Sequence, residues 1–257
     1  MNDRRTLRQW GLAGLLAVAG LVAYSNAIGG AFVFDDLRSI VDRADALNGP
    51  LGPLLAGDRR PLVTLTLAAN HRLGGLDPRG YHAFNIAVHI ATALALFTLV
   101  RHATTRVGRP ADATALAFAA TLLWVVHPLG TASVTYVIQR AEAMAALSML
   151  VMLLAVLAAA RAARPVGWAV AAALAAALGI LSKPTMIVAP LMAVLFDGLV
   201  ASGSFREALT RRWAMHAAIA ASCLLIVPTG LAAALLQTTP DAETGAGLAV
   251  TTVAPLE

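Results

Sequence analysis

Two adjacent carboxylates, Asp35 and Asp36, stand in the stretch FVFDDLRSI, directly behind a long apolar run. A carboxylate surfacing from a membrane helix can act as a general base and take a proton from an acceptor hydroxyl. A second carboxylate beside it disfavours both being charged at once. The plainer reading is helix capping, in which an Asp ahead of a helix satisfies a free backbone N–H and suits the helix dipole. A second stretch, HPLGTASVTYVIQRAE (127–142), carries His127, Arg140 and Glu142. Arg140 and Glu142 are two residues apart, so they do not face each other on a helix. Charges at bilayer depth point to function, or to an Arg that snorkels and a Glu that bonds a neighbouring helix. Lys183 is the only lysine of the chain. Its ammonium can hold a phosphate as a point charge, or anchor a helix end at the interface. His82, Asn85 and His89 share a helix face. Their spacing suits hydrogen bonds between helices better than a metal, since no carboxylate motif accompanies the two histidines. Arg59-Arg60-Pro61 offers an anion contact or a solvated turn.

These residues are set in a chain of membrane composition. Of 257 residues, 59% are hydrophobic and 13% charged, and the mean hydropathy is +0.74. The charged share is about half that of a soluble domain. Fold class is therefore all-α, a polytopic membrane protein. Seven apolar segments approach the ~20 residues a bilayer core requires: 9–29, 81–101, 112–128, 134–160, 165–182, 184–200 and 212–236. Pro184 disfavours a helix through Lys183, which predicts a tight hairpin there. Pro228 and Gly230 predict a kink in the seventh segment. The basic start MNDRRTLR could open a signal peptide, with a weak small-residue site at Ser25 to Ala27. The many later spans favour an uncleaved first helix. With a single cysteine, Cys223, no disulfide framework forms within the chain.

The segment 30–80 is the least membrane-like region, with six Arg and six Asp. Leu37, Ile40, Val41, Ala44 and Leu47 recur at helical spacing, which predicts a short amphipathic helix lying on the membrane surface. PLVTLTLAANHRL (61–73) opens with Pro at a plausible first helical position and predicts a second such helix. Arginine gathers on one side: Arg4, Arg5, Arg8, Arg101, Arg106, Arg109, Arg161, Arg164, Arg206, Arg211 and Arg212 are cytoplasmic if the N-terminus is. This accounts for the pI near 10.3 without a nucleic-acid partner. Asp35, Asp36, Arg59, Arg60, His82, His127, Arg140 and Lys183 then all fall on the outer face. One base, several cations and surface-lying helices suit transfer of a head group from a phosphate-linked lipid to an outer acceptor.

Four stretches in order, YSNAIGGAFVFDDLRSI, RRPLVTLTLAANHRLGGLDPRGYHAFNIAVHI, HPLGTASVTYVIQRAEAMAAL and LSKPTMIVAP, carry a resemblance that runs from about residue 20 to about 200. The sequence resembles the bacterial relatives of the transmembrane and tetratricopeptide-repeat-containing O-mannosyltransferases, within the GT-C glycosyltransferases. The resemblance implies a multi-pass enzyme of the cytoplasmic (inner) membrane, with its active site on the periplasmic or outer face. It implies a polyprenyl-phosphate sugar as donor, mannose-like, and a protein or glycan as acceptor. Asp35 and Asp36 match the acidic catalytic pair, with Asp35 slightly favoured as the base. Arg60, Arg140 and Lys183 match the positions that face the lipid phosphate, with His82, His127 and Glu142 in support. The seven spans of residues 1–236 correspond to the module GT-C enzymes share. No cofactor is required for such a transfer, and a divalent cation is left open.

The chain departs from the pattern in three places. Ala132 stands where the family has an acid after Thr, and Pro184 where it has Glu after the hairpin Lys. Residues 237–257 form a polar outer-side tail where relatives continue into further spans and repeats, which predicts a truncated chain. A second reading follows: an inactive or accessory subunit that binds the lipid phosphate without turnover. A transporter fits less well, because the charges gather at one face rather than at the midplane.

Overall fold

A computed structural model describes residues 2–227, with every regular element helical and no strand among the described residues. The expected kink at Pro228 and Gly230 and the tail 237–257 lie outside the described residues. The long first helix, α1 (Asn2–Tyr24), is followed by short turns, α2 (Ala44–Asn48) and α3 (Leu51–Leu55). Next come α4 (Pro61–Gly74), α5 (Pro78–Arg106), α6 (Ala113–Val125) and α7 (Thr131–Thr135). The second half holds α8 (Arg140–Ala159), α9 (Val166–Ser182), α10 (Ala189–Phe196), α11 (Phe205–Arg211) and α12 (Trp213–Ser222).

Local chemistry sets several of these boundaries. Pro78 opens α5, and the Asp77 side chain accepts from the Arg79 N–H at 3.0 Å, a Pro-at-N1 start with an acidic cap. Ser204 caps α11 by accepting from the Glu207 N–H at 3.3 Å. Lys183 is extended, with φ −154° and ψ 124°, so α9 ends where Pro184 requires it to.

Among the described residues, four helices are long and apolar enough to cross a membrane: Thr6–Gly29, Pro78–Arg106, Val137–Ala159 and Pro184–Ala201. Ala113–Val125 and Pro128–Thr135 add a fifth if taken together, bent by 55° at the break before Pro128. Two further expected spans are apolar helices of lesser length. Val166–Ser182 has 17 residues, which at 1.5 Å per residue reach about 26 Å of a ~30 Å core. Trp213–Ile226 also falls short within the described residues.

Two packed groups make the bundle. In one, Leu16 of α1, Ala93 and Phe97 of α5, and Ala117 and Val125 of α6 close a core. In the other, α8 and α9 meet α10 and α12 through small residues such as Ala155, Ala172, Ala176, Ala189 and Ala193. Small side chains let helix backbones approach where lipid supplies no hydrophobic drive. Gly179 shows how close: a Cβ there would lie 2.5 Å from Met186 Cε.

The segment 30–77 is folded down onto the bundle. Val63, Leu67 and Ala68 of α4 pack with Ile40, Leu47, Leu54, Tyr81 and the start of α8. Pro61 is the first residue of α4, as expected. The amphipathic helix expected over 37–47 is split instead. A π-type turn covers Leu37–Val41, and α2 starts afresh at Ala44. Ile40 and Leu47 are fully buried while Leu37 is 47% exposed, so only part of the stripe faces the core.

Candidate active site

The carboxylate pair divides into two different environments. Asp36 is fully buried. Its Oδ1 accepts from the Ile138 N–H at 2.8 Å, and its Oδ2 from the Val33 N–H at 3.2 Å and the Val137 N–H at 3.4 Å. It therefore does cap a helix, but not the one that follows it. The capped N–H groups open the turn Val137–Gln139 that leads into α8, about a hundred residues away in sequence. Burial pushes the Asp36 carboxyl above the usual carboxylate range, and the three backbone N–H donors only partly counter that.

Asp35, by contrast, is exposed. Its backbone N–H donates to the Tyr136 hydroxyl at 2.9 Å. Phe34, just before it, sits at φ 49°, a left-handed conformation that costs a bulky L-residue energy. The buried Asp36 anchor and the Tyr136 bond together hold this turn open toward solvent.

Asp35 lines a polar cavity of about 720 Å³ together with Arg38, Arg43, Asp58, Arg59, Arg60 and Glu142, among others. Arg60 is presented by the turn ahead of α4. There Asp58 accepts from the Arg60 N–H at 2.7 Å and from the Thr64 hydroxyl at 2.6 Å. Glu142 pairs with Lys183, and Arg60 lies within electrostatic reach of that lysine. Arg60, Glu142 and Lys183 are thus brought together beside Asp35.

Arg140 is not part of that cavity. It is fully buried and turned the other way, donating to Asn70 Oδ1 at 2.8 Å, the Tyr81 carbonyl at 3.2 Å, Thr66 Oγ1 at 3.3 Å and the Val137 carbonyl at 3.4 Å. Its guanidinium lies 4.6 Å from the centre of the Phe84 ring. It pins α4, α5 and α8 into one piece.

The histidines also separate. His82 is buried beside Asp36 and Gly30, and neither ring nitrogen has a hydrogen-bond partner. Asn85 donates to the Val134 and Val137 carbonyls at 3.2 Å each, and His89 Nε2 meets the Val125 carbonyl at 3.0 Å. These are the inter-helix bonds expected of them. His127 Nδ1 accepts from the Leu129 N–H at 3.2 Å. It lines a second, mostly apolar cavity of about 560 Å³ with His89, Trp124, Leu129 and Glu142. Glu142 therefore borders both cavities. Among the described residues no three His, Cys, Asp or Glu side chains gather as metal ligands.

Sequence reasoning singles out none of Asp58, Arg38 and Arg43, whose only signal is charge within the segment 30–80. It also missed Tyr136, whose only signal was an aromatic hydroxyl between the two charged motifs.

A polar pocket of carboxylate and cations thus stands at one end of an apolar helical bundle. Comparison with known proteins decides the family. The description "Dolichyl-phosphate-mannose-protein mannosyltransferase" matches residues 58–232. The chain belongs to this family. It is 32% identical over 205 residues to the protein O-mannosyl-transferase Tmtc1 of Drosophila melanogaster, covering 74% of this chain and 23% of that protein. It is 32% identical over 160 residues to the human protein O-mannosyl-transferase TMTC1, covering 55% of this chain and 17% of that one. Against mouse protein O-mannosyl-transferase TMTC2 it is 30% identical over 200 residues, 70% of this chain and 23% of that one. The chain thus spans less than a quarter of the length of these curated relatives. No solved structure matches it. The family match begins at residue 58, after Asp35 and Asp36, so the acidic pair stands on its geometry and on the motif around it.

Proposed function

We propose that this chain carries the donor and base sites of a membrane O-mannosyltransferase that moves a sugar from a polyprenyl phosphate to an acceptor hydroxyl. The observation that carries the reading is the exposed Asp35 carboxylate sharing one cavity with Arg60. The loop that presents it is tied down by the buried Asp36. In this mechanism Asp35 takes the proton of the acceptor hydroxyl. The hydroxyl oxygen bonds to the anomeric carbon as the bond from that carbon to the phosphate oxygen breaks. The lipid phosphate leaves with the electron pair, and the sugar is inverted. Arg60 and Lys183 stabilise the charge growing on the phosphate. Arg140 acts as a positioning residue, holding α4 so that Arg60 faces Asp35. Asp36 likewise positions, and the transfer requires no cofactor, with a divalent cation left open. His127 and Glu142 border the apolar cavity that adjoins the site.

The reading takes seven spans from the apolar segments and an outward site, with the N-terminus cytoplasmic, from the arginine distribution. The acceptor, a protein or a glycan, approaches from that outer side. The relatives' printed activity, protein O-mannosyl transfer, supports the reaction class.

The test is transfer from a radiolabelled polyprenyl-phosphate sugar into acceptor, using membranes that hold the parent chain, Asp35→Asn, Arg60→Gln, or no added protein. Transfer by the parent that disappears in Asp35→Asn is the expected result. Transfer that survives Asp35→Asn sinks the base assignment. Donor retention with no transfer by the parent points instead to an accessory subunit.

A further inference from the structure

A second cationic cavity lies at the other end of α5, about 28 Å along the helix from His82 to Arg101. It has a volume of about 470 Å³ and is lined by Arg8 and Gln9 of α1, Arg101, His102 and Thr105 of α5, Pro110, Ala111 and the first turn of α6. No carboxylate lines it. The neighbouring Asp112 is exposed and is not among the lining residues.

The cations here lack the acidic partners seen elsewhere in the molecule. Among the described residues, ion pairs join Arg79, Lys183, Arg212 and His216 to carboxylates, and none involves Arg8, Arg101, Arg106 or Arg161. Arg101 Nε is buried with no hydrogen-bond partner. Its guanidinium rests 6.0 Å from the Phe97 ring centre and meets His102 Nε2 at 3.3 Å. Because an arginine is always a donor, that contact makes the imidazole nitrogen the acceptor. Arg161, in the turn after α8, is within electrostatic reach of both His102 and Arg106. Like charges crowd one another, and an unpaired guanidinium N–H is buried among them. That arrangement is costly unless an anion joins it. The start of α6 supplies what an anion needs besides charge: the first N–H groups of a 13-residue helix, which have no partners within the helix.

We infer that this cavity binds the phosphate group of an anionic ligand, at the opposite end of the bundle from Asp35. A phospholipid headgroup reaches it from the bilayer, whereas a free phosphate reaches it from the water. Arginine forks suit phosphate oxygens by paired N–H bonds. The volume accommodates a headgroup, and the Thr114 side chain that lines it adds a hydroxyl donor. Nothing in the transfer reaction uses this site, so it stands or falls apart from the base assignment.

The experiment measures lipid retained by the purified full chain after detergent exchange, from mixed micelles holding phosphatidic acid, phosphatidylglycerol or phosphatidylcholine at equal mole fraction. A parallel series adds inorganic phosphate. The parent is expected to retain the two anionic lipids over phosphatidylcholine. Arg101→Gln and Arg8→Gln, the two arginines that line the cavity, each reduce that preference by about tenfold, the worth of one charge-assisted hydrogen bond. Arg206→Gln, which removes an exposed arginine outside the cavity, leaves it unchanged. Displacement of the lipid by inorganic phosphate, lost in the same two variants, assigns the site to the free anion. Equal retention of all three lipids overturns the inference. So does an equal loss in Arg206→Gln, which means diffuse charge rather than a site. Arg8 is exposed, so Arg8→Gln decides the matter if Arg101→Gln does not fold.

Discussion

Replacing Asp36 by Ala separates anchoring from chemistry more sharply than any other single change. The side chain is fully buried and accepts three backbone N–H bonds. Val33 is exposed, so its N–H can turn to water once the carboxylate is gone. The N–H groups of Val137, fully buried, and of Ile138, half-buried, cannot do so as freely. Each stranded donor costs about 1–3 kcal/mol, or roughly 2–6 kcal/mol for both. Removing a buried carboxylate also removes its desolvation cost, which offsets part of that loss. A net destabilisation of about 2–4 kcal/mol remains. In a protein of this length that lowers an apparent unfolding midpoint by roughly 4–16 °C. The assay is thermal unfolding in one fixed detergent, followed by far-UV circular dichroism, for the parent, Asp36→Ala, Asp36→Asn and Asp35→Ala. Asp36→Asn keeps one acceptor oxygen and is expected to fall between parent and Ala. Asp35→Ala is expected within about 0.5 kcal/mol of the parent, because its carboxylate is exposed, while transfer is lost. An Asp36→Ala midpoint equal to the parent's, or an Asp35→Ala midpoint as low as that of Asp36→Ala, refutes the division of labour.

The other expectations concern the charges around that anchor. Asp36 has a raised carboxyl pKa in the folded chain, so the folded state binds more protons than the unfolded one just above the ordinary aspartate value of about 3.9. Stability then falls as pH rises through the window from that value to the folded one; midpoints measured against pH should show this slope in the parent and not in Asp36→Asn. Arg140→Lys keeps the charge but not the fork that reaches Asn70, Thr66 and Tyr81. It is expected to cost about 2 kcal/mol in the same unfolding assay, and an unchanged midpoint argues against the pin. Lys183→Gln should weaken retention of a labelled polyprenyl-phosphate sugar by about tenfold. Glu142→Gln should strengthen it, because the carboxylate then no longer competes with phosphate for Lys183; a loss in both variants overturns that competition.

What could be read from the sequence depended on whether a residue's partners were near it in the chain. The start of α4 at Pro61 and the end of α9 at Lys183 are set by proline sterics, which act over one or two residues. Apolar segments of sufficient length were equally legible, because bilayer thickness is a property of the solvent rather than of the fold. The gathering of Arg60 and Lys183 near Asp35 was reached through the sidedness of the charges and the family resemblance, and that of Glu142 through the resemblance. The roles of Asp36 and Arg140 were not legible. Each is decided by groups 60 to 100 positions away, and no local pattern distinguishes a carboxylate that meets substrate from one that meets three N–H groups. The split of the amphipathic stretch at Asp42 and Arg43 has the same origin, since helical spacing describes one face of one helix and says nothing of a core that takes Ile40 and Leu47 from two separate turns.

The buried pair near the opposite end of the bundle brings that argument to a test. Asp197 is fully buried and takes Arg212 through two bonds of 2.8 Å each, with His216 Nε2 at 2.9 Å from the same carboxylate. The partners are 15 and 19 residues apart and come from different helices, so the sequence showed only an isolated acid in an apolar run. In a low-dielectric interior, removing one partner leaves a charge uncompensated and typically costs 3–5 kcal/mol, while replacing the pair by apolar residues of similar volume is often neutral. Asp197→Leu alone should therefore destabilise strongly, and Asp197→Leu with Arg212→Met should recover most of the loss. His216 tempers the recovery, because its ring would then lack the carboxylate it now meets, and adding His216→Phe to the pair should restore the rest. Unfolding midpoints of the single, double and triple variants measure each step. A double variant no more stable than Asp197→Leu would mean that Arg212 holds α10 to α12 by something other than its charge.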